Sequence, residues 1–374
     1  MPKSHHKSEK IIFSTFLLIF AIYSGIFIYK TSFVIEGERY FSLFDDAMVS
    51  MRYARNLAEG NGLVMNPGER VEGITNPLWT FWMAAAHFLP VPLSKISLII
   101  QITAAVCLLL NLVFVRKIAL FLSGNNPNVS LAAVILTAFN LPLVNWSLQG
   151  MEVSVLTLLI SCIVWLLVRP DRQDKIPLEV YILLGIGTLI RIDMAVPFLV
   201  VWFLLLVSNT GDLRRKHILY GGIVFAVFLG GQTVLRLLYY GDIFPNTYYL
   251  KMTGYPFILR LGRGFIVWLK FVWRMNPIFF IVPVLTVIYT RARDIVIPAV
   301  IIAFQMLYSI YVGGDAWDDW GGSNRYIAIV MPQFFILLAL GLSKACGLIE
   351  KKFPQSKSTH SKGLTYTALR DFLF

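Results

Sequence analysis

The chain has 374 residues, of which 57% are hydrophobic and 14% charged, with a mean hydropathy of +0.69 and a formal net charge of +12. That is too apolar for a soluble globular domain and far too long for a single anchor, so the composition excludes both and specifies a polytopic membrane protein. Cys107, Cys162 and Cys346 fall within or beside apolar runs and supply neither a disulfide framework nor metal-ligand spacing.

In chain order, the first apolar run, 11–28, is long enough to span a bilayer. It is closed by Tyr29 and Lys30 with no small-residue cleavage site after it, so it reads as an uncleaved first helix. Further runs lie near 94–115, 129–146, 152–168, 177–190, 194–209, 217–239, 277–290, 295–312 and 326–346, giving an all-α chain of about ten transmembrane helices. Charge decides whether 177–209 is one span or two. With Arg191 and Asp193 in a turn between two spans, Lys3/Lys7/Lys10, Arg116/Lys117, Arg169/Arg172/Lys175, Arg214/Arg215/Lys216, Arg291/Arg293 and the tail share one side. The positive-inside rule makes that side cytoplasmic and puts both termini there. The basic balance therefore reports orientation in a lipid bilayer and not nucleic-acid binding. On this reading residues 1–348 form a transmembrane domain, with 30–93 as its first extracytoplasmic loop, and 349–374 form a basic cytoplasmic tail. The segment 240–276 is expected to be an external loop.

The polar constellations then gather outside: 30–93, the turn Gln149–Glu152, the turn Arg191–Asp193, 240–276 and 313–325. From Asp45 the residues favour a helix, ended by Gly60-Asn61-Gly62. Asp45 and Arg52, seven apart, lie on one helix face roughly 10 Å from each other, a spacing that fits one sugar ring. The plain alternative is an acidic helix start followed by solvated bases. Asn66-Pro67-Gly68 is a turn, and Thr75-Asn76-Pro77 opens another helix with proline in its first turn.

Taken together, Asp45-Asp46, Arg52-Tyr53-Ala54-Arg55-Asn56, Gly62-Leu63-Val64, Asn66-Pro67-Gly68, Val71-Glu72-Gly73 and Thr75-Asn76-Pro77-Leu78-Trp79 resemble the first external loop of GT-C glycosyltransferases of the mycobacterial terminal arabinofuranosyltransferase type. Gly150-Met151-Glu152, Arg191-Ile192-Asp193, Tyr240-Gly241-Asp242, Pro245-Asn246-Thr247-Tyr248-Tyr249, Gly313-Gly314-Asp315 and Arg325-Tyr326 follow that family's order, so the resemblance covers roughly residues 40 to 335. Ile192 stands where the family often has proline, and the chain ends soon after its last span, where relatives carry a soluble C-terminal domain.

The resemblance implies a GT-C fold and transfer of a sugar, arabinofuranose among the candidates, from a polyprenyl-phosphate donor to a hydroxyl of an extracytoplasmic glycan or lipid acceptor. It implies that Asp45 or Asp46 sits at the reacting centre, as general base or as nucleophile, with Asp45 the first choice. It implies substrate binding by Arg52, Tyr53, Arg55, Glu72, Asn76, Asn246 and Tyr248. For the rest, a bland and a sharp reading stand side by side. Arg191 and Asp193 form a turn pair or a phosphate site at the interface. Glu152 is a helix-start acid or a ligand of sugar hydroxyls. Lys251 is an interfacial anchor or part of the phosphate site. Asp315, Trp317, Asp318, Asp319, Trp320 and Arg325 are an aromatic belt or a surface that stacks and hydrogen-bonds a sugar. His87 reads as a surface histidine. The aspartates could accommodate a divalent cation, but no residue spacing requires one. A transporter or lipid flippase is the competing class; against it, the polar groups cluster on one side and no paired repeat of interrupted helices is seen.

Overall fold

A computed structural model describes residues 3–169, 177–315 and 324–352. Helix α1 (Lys3–Lys30) leads into a hairpin of β1 (Phe33–Ile35) and β2 (Glu38–Tyr40), paired antiparallel with Val34 opposite Arg39. An all-helical reading omits this hairpin because three-residue strands leave no periodic signal; Glu36 and Gly37 turn the chain with positive φ at both positions. Helices α2 (Asp45–Ala58) and α3 (Pro77–Ala86) follow, then α4 (Leu93–Leu122). The chain continues through α5 (Pro127–Ala138), α6 (Leu141–Leu148), α7 (Val153–Val168), α8 (Leu178–Ile190) and α9 (Ala195–Ser208). Next come α10 (Gly211–Phe225) and α11 (Gly231–Tyr240), joined through a π-helical turn at Ala226–Gly230, then α12 (Asn246–Met252), α13 (Phe257–Arg274) and α14 (Pro277–Thr290). The last helices are α15 (Arg293–Val312), α16 (Arg325–Ala328) and α17 (Met331–Lys352).

Among the described residues five helices are long and apolar enough to cross a membrane, or up to seven if each of two bent pairs is one span, and α7, α8 and α9 are shorter apolar helices. The apolar runs read from the sequence fall on these elements, except that 129–146 is divided between α5 and α6, bent by 52°, and 217–239 runs from α10 through the π-helical turn into α11. Residues 177–209 form two helices, as charge required, joined by a short 3-10 turn at Ile192–Met194. Two expectations need correction. The last span starts at Met331, because α16 stops at Ala328 and the chain turns before α17 begins. The segment 240–276 is not a loop: it contains α12 and the 18-residue α13, bent by 95° from α14. Arg260, Arg263, Lys270 and Arg274 interrupt the apolar run of α13, so a span-length hydropathy window passes over it. Its buried residues, Arg260, Gly264, Val267 and Phe271, recur at three and four, the stripe of an amphipathic helix.

The core is centred on α4, which packs against α5 and α7, and on α17, which packs against α5 and α14. Met331 to Gly341 are buried without a break, so the first half of α17 is covered all round. Polar side chains join these helices: Ser161 Oγ donates to Asn111 Oδ1 (2.6 Å) and Gln333 Nε2 donates to Ser161 Oγ (2.8 Å), linking α4, α7 and α17. At one end of the bundle Arg116 of α4 clamps Glu9 of α1 through two hydrogen bonds of 2.8 and 2.6 Å. The ends of α2, α7, α9 and α15 that carry the polar motifs meet at the other.

Candidate active site

Two turns build the site. Gly150 has φ +89°, a left-handed conformation that a side chain would strain, and an added Cβ would meet Leu43 at 2.6 Å. This turn is tied to α3 by Trp79 Nε1, which donates to the Gly150 carbonyl (3.0 Å), and to the start of α2 by the Phe44 amide, which donates to the Gln149 carbonyl (2.8 Å). The Phe44 ring meets Trp146 edge-on at 4.8 Å. Glu152 is thereby fixed beside α2, two residues after a glycine that nothing else could replace without a shift.

Glu152 opens α7 and Asn76 opens α3, yet neither side chain caps its own helix. They bond each other instead. Asn76 Nδ2 donates to Glu152 Oε2 (2.9 Å), and Asn76 Oδ1 accepts from Ser50 Oγ of α2 (2.9 Å). Glu152 Oε1 accepts from Arg191 Nη1 (3.2 Å), and Arg191 Nε donates to Asp193 Oδ1 (2.6 Å). The Arg191, Glu152 and Asp193 side chains are at most 5% exposed. Arg191 sits in an extended backbone conformation between α8 and the 3-10 turn, which turns its guanidinium back towards α7. Arg191 Nη2 and Asp193 Oδ2 are buried without a partner among the described residues, so this cluster retains one donor and one acceptor.

A second centre lies across Tyr326, whose ring is 5.3 Å from the Arg191 guanidinium and 5.7 Å from that of Arg325. Arg325 Nη1 donates to Asp46 Oδ2 (2.6 Å), and its Nε lies 3.4 Å from Asp315 Oδ2. The Arg325 amide also donates to Asp315 Oδ2 (3.0 Å). Exposure is graded through this triad: 1% for the Asp315 side chain, 10% for Arg325 and 49% for Asp46. The guanidinium stands 5.6 Å over Trp146. Asn324 caps α16 by accepting from the Tyr326 and Ile327 amides, and its Nδ2 bonds Ser309 Oγ of α15 (2.9 Å), so Arg325 projects from a pinned turn.

The remaining sequence candidates divide. Asp45 is exposed, and among the described residues its carboxylate accepts only from the Asp46 amide (2.8 Å). Arg52 is exposed and donates to the Met65 carbonyl (3.3 Å), while Arg55 pairs with Glu59 at the surface. Glu72 and Tyr53 hold the loop. Glu72 is buried against Arg236 (2.5 Å), and its own carbonyl accepts from the Asn246 amide (2.9 Å). Tyr53 hydroxyl donates to the Val71 carbonyl (2.7 Å) and accepts from the Gly73 amide (2.8 Å). Burial pushes the Glu72 carboxyl up, with Arg236 opposing, and burial likewise pushes the Tyr53 phenol up. In α12 Asn246 and Lys251 are exposed, and Tyr248 stacks on Phe244 at 4.3 Å. No described contact joins those three to Asp46. Arg260 links the elements: it donates to the Met252 carbonyl (2.9 Å) at the end of α12 and to the Tyr311 carbonyl (3.1 Å). Arg263 continues the line to the carbonyls of Gly313 and Asp315. Trp317, with Asp318, Asp319 and Trp320, lies outside the described residues. Among those described, no group of three or more His, Cys, Asp or Glu could hold a metal ion.

Arg236, Trp146 and Ser50 were not singled out as site residues. Arg236 had a signal, a lone base in the apolar run 217–239. Ser50 and Trp146 had none, since a serine in a helix and an indole in an apolar run are ordinary.

No protein-family model matches the chain. It is 26% identical over 332 residues to the terminal β-(1→2)-arabinofuranosyltransferase of Mycobacterium tuberculosis, covering 79% of this chain and 51% of that one. The chain therefore spans about half the length of that relative. Among solved structures it is similar to ArnT from Cupriavidus metallidurans in two states. Bound to undecaprenyl phosphate, ArnT aligns with a TM-score of 0.55 and 16% identity over 93% of this chain and 66% of that one. The apo state gives 0.56 and 14% over 95% and 66%. The protein is a multi-pass membrane protein with the fold of ArnT, and its sequence resembles that of the mycobacterial arabinofuranosyltransferase.

Proposed function

We propose that the protein is a GT-C glycosyltransferase that moves a sugar from a polyprenyl-phosphate donor to a hydroxyl acceptor outside the cytoplasm, in the orientation with both termini cytoplasmic. The observation that carries this reading is the adjacency of a half-exposed carboxylate, Asp46 on Arg325, to a buried arginine, Arg191, that keeps an unpartnered donor. The undecaprenyl phosphate bound to ArnT, a protein of the same fold, supports a lipid phosphate as the donor's leaving group. The mycobacterial relative supports arabinofuranose as the sugar.

In this reaction the acceptor oxygen attacks the anomeric carbon, the bond from that carbon to the phosphate oxygen breaks, and the hydroxyl proton passes to a carboxylate. Asp46 is that carboxylate, because Arg325 fixes its position while leaving it open to substrate. Arg191, buried behind Tyr326, favours the charge that develops on the departing phosphate through its fixed positive potential. Asp315 acts through Arg325, keeping the guanidinium from swinging away. The alternative in which a carboxylate attacks the sugar first uses the same residues.

The test is consumption of radiolabelled polyprenyl-phosphate sugars by the purified protein, with Asp46→Asn and Asp45→Asn side by side. Release of polyprenyl phosphate with the wild type and its loss with Asp46→Asn is the expected result. Full turnover by Asp46→Asn would remove it from the reacting centre, and no consumption of any such donor would overturn the class of reaction.

A further inference from the structure

The opposite end of the bundle carries a second polar feature that the transfer reaction does not use. Helices α7 and α9 leave the Glu152–Arg191 cluster and α15 runs towards Asp315, so the far ends of α7 and α9 and the first turn of α15 meet away from the reacting centre. There they enclose a cavity of about 240 Å³. Its walls are apolar, with Leu167 from α7, Leu204 from α9 and Val296 from α15; its rim is Ser208, Arg291 and Arg293. The wall grades from buried leucine to exposed guanidinium, which is the polarity profile of a lipid lying with its head at the membrane surface.

Three observations say that the arginines are held for an anion. Arg293 has no acidic partner among the described residues, and Arg291 donates only to the Ile288 carbonyl (3.2 Å). Asp212, just beyond the rim residue Ser208 in sequence, is paired with Lys216, and Glu179 at the start of α8 with Arg169. Arg291 also has φ +50°, a left-handed conformation that ends α14 and that glycine would adopt without strain. A charged side chain stands where backbone conformation alone favours glycine.

We propose that this cavity binds an anionic phospholipid, one acyl chain against α7, α9 and α15 and the phosphate between Arg291 and Arg293. The chemistry commits to a lipid because an apolar wall has nothing to offer a free phosphate, and to an anionic one because a zwitterionic headgroup would bring a further cation to two guanidinium groups that have no acidic partner among the described residues. The occupied site would brace the α14–α15 turn from the end remote from Asp315.

The experiment uses the full chain, purified and delipidated in detergent, with dioleoyl phosphatidylglycerol, dioleoyl phosphatidylcholine or inorganic phosphate added. Retained lipid is read by native mass spectrometry and thermal unfolding is followed in parallel. Phosphatidylglycerol is expected to be retained and to raise the unfolding temperature, with phosphatidylcholine and phosphate doing neither. The double variant Arg291→Gly, Arg293→Gln should lose retention by about fivefold per arginine removed. Because glycine suits the Arg291 conformation, that variant should fold. Leu204→Trp, which fills the cavity and keeps both charges, should lose the lipid as well. Equal effects of the two lipids, an effect of phosphate matching phosphatidylglycerol, or full retention by either variant would each overturn the site.

Discussion

The two arginine centres of the candidate site use the same chemistry in opposite surroundings. Arg191 is held by Glu152 and Asp193, all three side chains at most 5% exposed, whereas Arg325 is held by Asp315 inside and Asp46 outside, with Asp46 half exposed. In the first centre both carboxylates are shut away with the guanidinium, so the cluster is a scaffold with a fixed positive donor. In the second, one carboxylate faces out and is half exposed beside its arginine. The difference is the depth at which each carboxylate enters: Glu152 and Asp193 come from turns pressed between α3, α7 and α8, and Asp46 from the first turn of α2.

Breaking the dry centre should cost most. Arg191→Gln leaves two buried carboxylates without their cation, and removing one partner of a buried ionic cluster typically costs about 3–5 kcal/mol. Thermal unfolding of the detergent-purified variant should show a large drop; near-wild-type stability would mean that the cluster is wetter than its burial indicates. Arg191→Lys should recover only part of it, since a point charge loses the fork that reaches Glu152 and Asp193 together.

Breaking the open centre should separate rate from stability. Asp46→Asn removes a half-exposed ion pair, worth at most about 1 kcal/mol, but the loss of a positioned base is expected to slow transfer by about 10²- to 10⁴-fold. Asp45→Asn is the control on the neighbouring face, because adjacent helical residues point about 100° apart. If Asp45→Asn loses the rate and Asp46→Asn keeps it, the Arg325 contact has misidentified the reacting carboxylate.

A smaller effect tests how Asp315 is held. Gly264 of α13 lies so close to α15 that an added Cβ would stand 2.1 Å from the Ile310 carbonyl. Gly264→Ala forces the two backbones apart, with an overpacking cost of about 1–3 kcal/mol. It should also loosen the Arg263 bonds to the Gly313–Asp315 segment. Transfer should fall with it, and hydrogen exchange at Tyr311–Asp315 should rise; unchanged exchange would detach α13 from the open centre.

The smallest expected effect is a pH slope from the loop that carries α2 and α3. Burial holds the His87 imidazole below its ordinary pKa near 6.5, with Arg55 adding to the depression. The folded loop therefore resists taking the proton that the unfolded chain accepts. Stability should be level above about pH 6.5 and fall as pH drops below it, until the folded protein is protonated too. His87→Gln should flatten that segment of an unfolding-temperature profile, and an unchanged slope would assign it to other groups.

Much was legible before any tertiary contact. Apolar runs of bilayer length and the bias of Lys and Arg gave the polytopic helical class and the split at Arg191, because hydropathy and charge are properties of a short segment read alone. The helix from Asp45, the proline start at Pro77 and the Gly150 turn were readable for the same reason. Three things required the folded chain. The amphipathic α13 was hidden because its four bases lower any average over a span. The choice between Asp45 and Asp46 has no local signal at all, since both are acids in the same first turn; the folded chain shows only which of them Arg325, 279 residues from Asp46, pairs with. The diversion of Asn76 and Glu152 from capping to each other also lies beyond sequence. For Asn76 local chemistry favours the cap, and only packing of α2, α3, α7 and the Arg191 turn offers a buried partner that outweighs it.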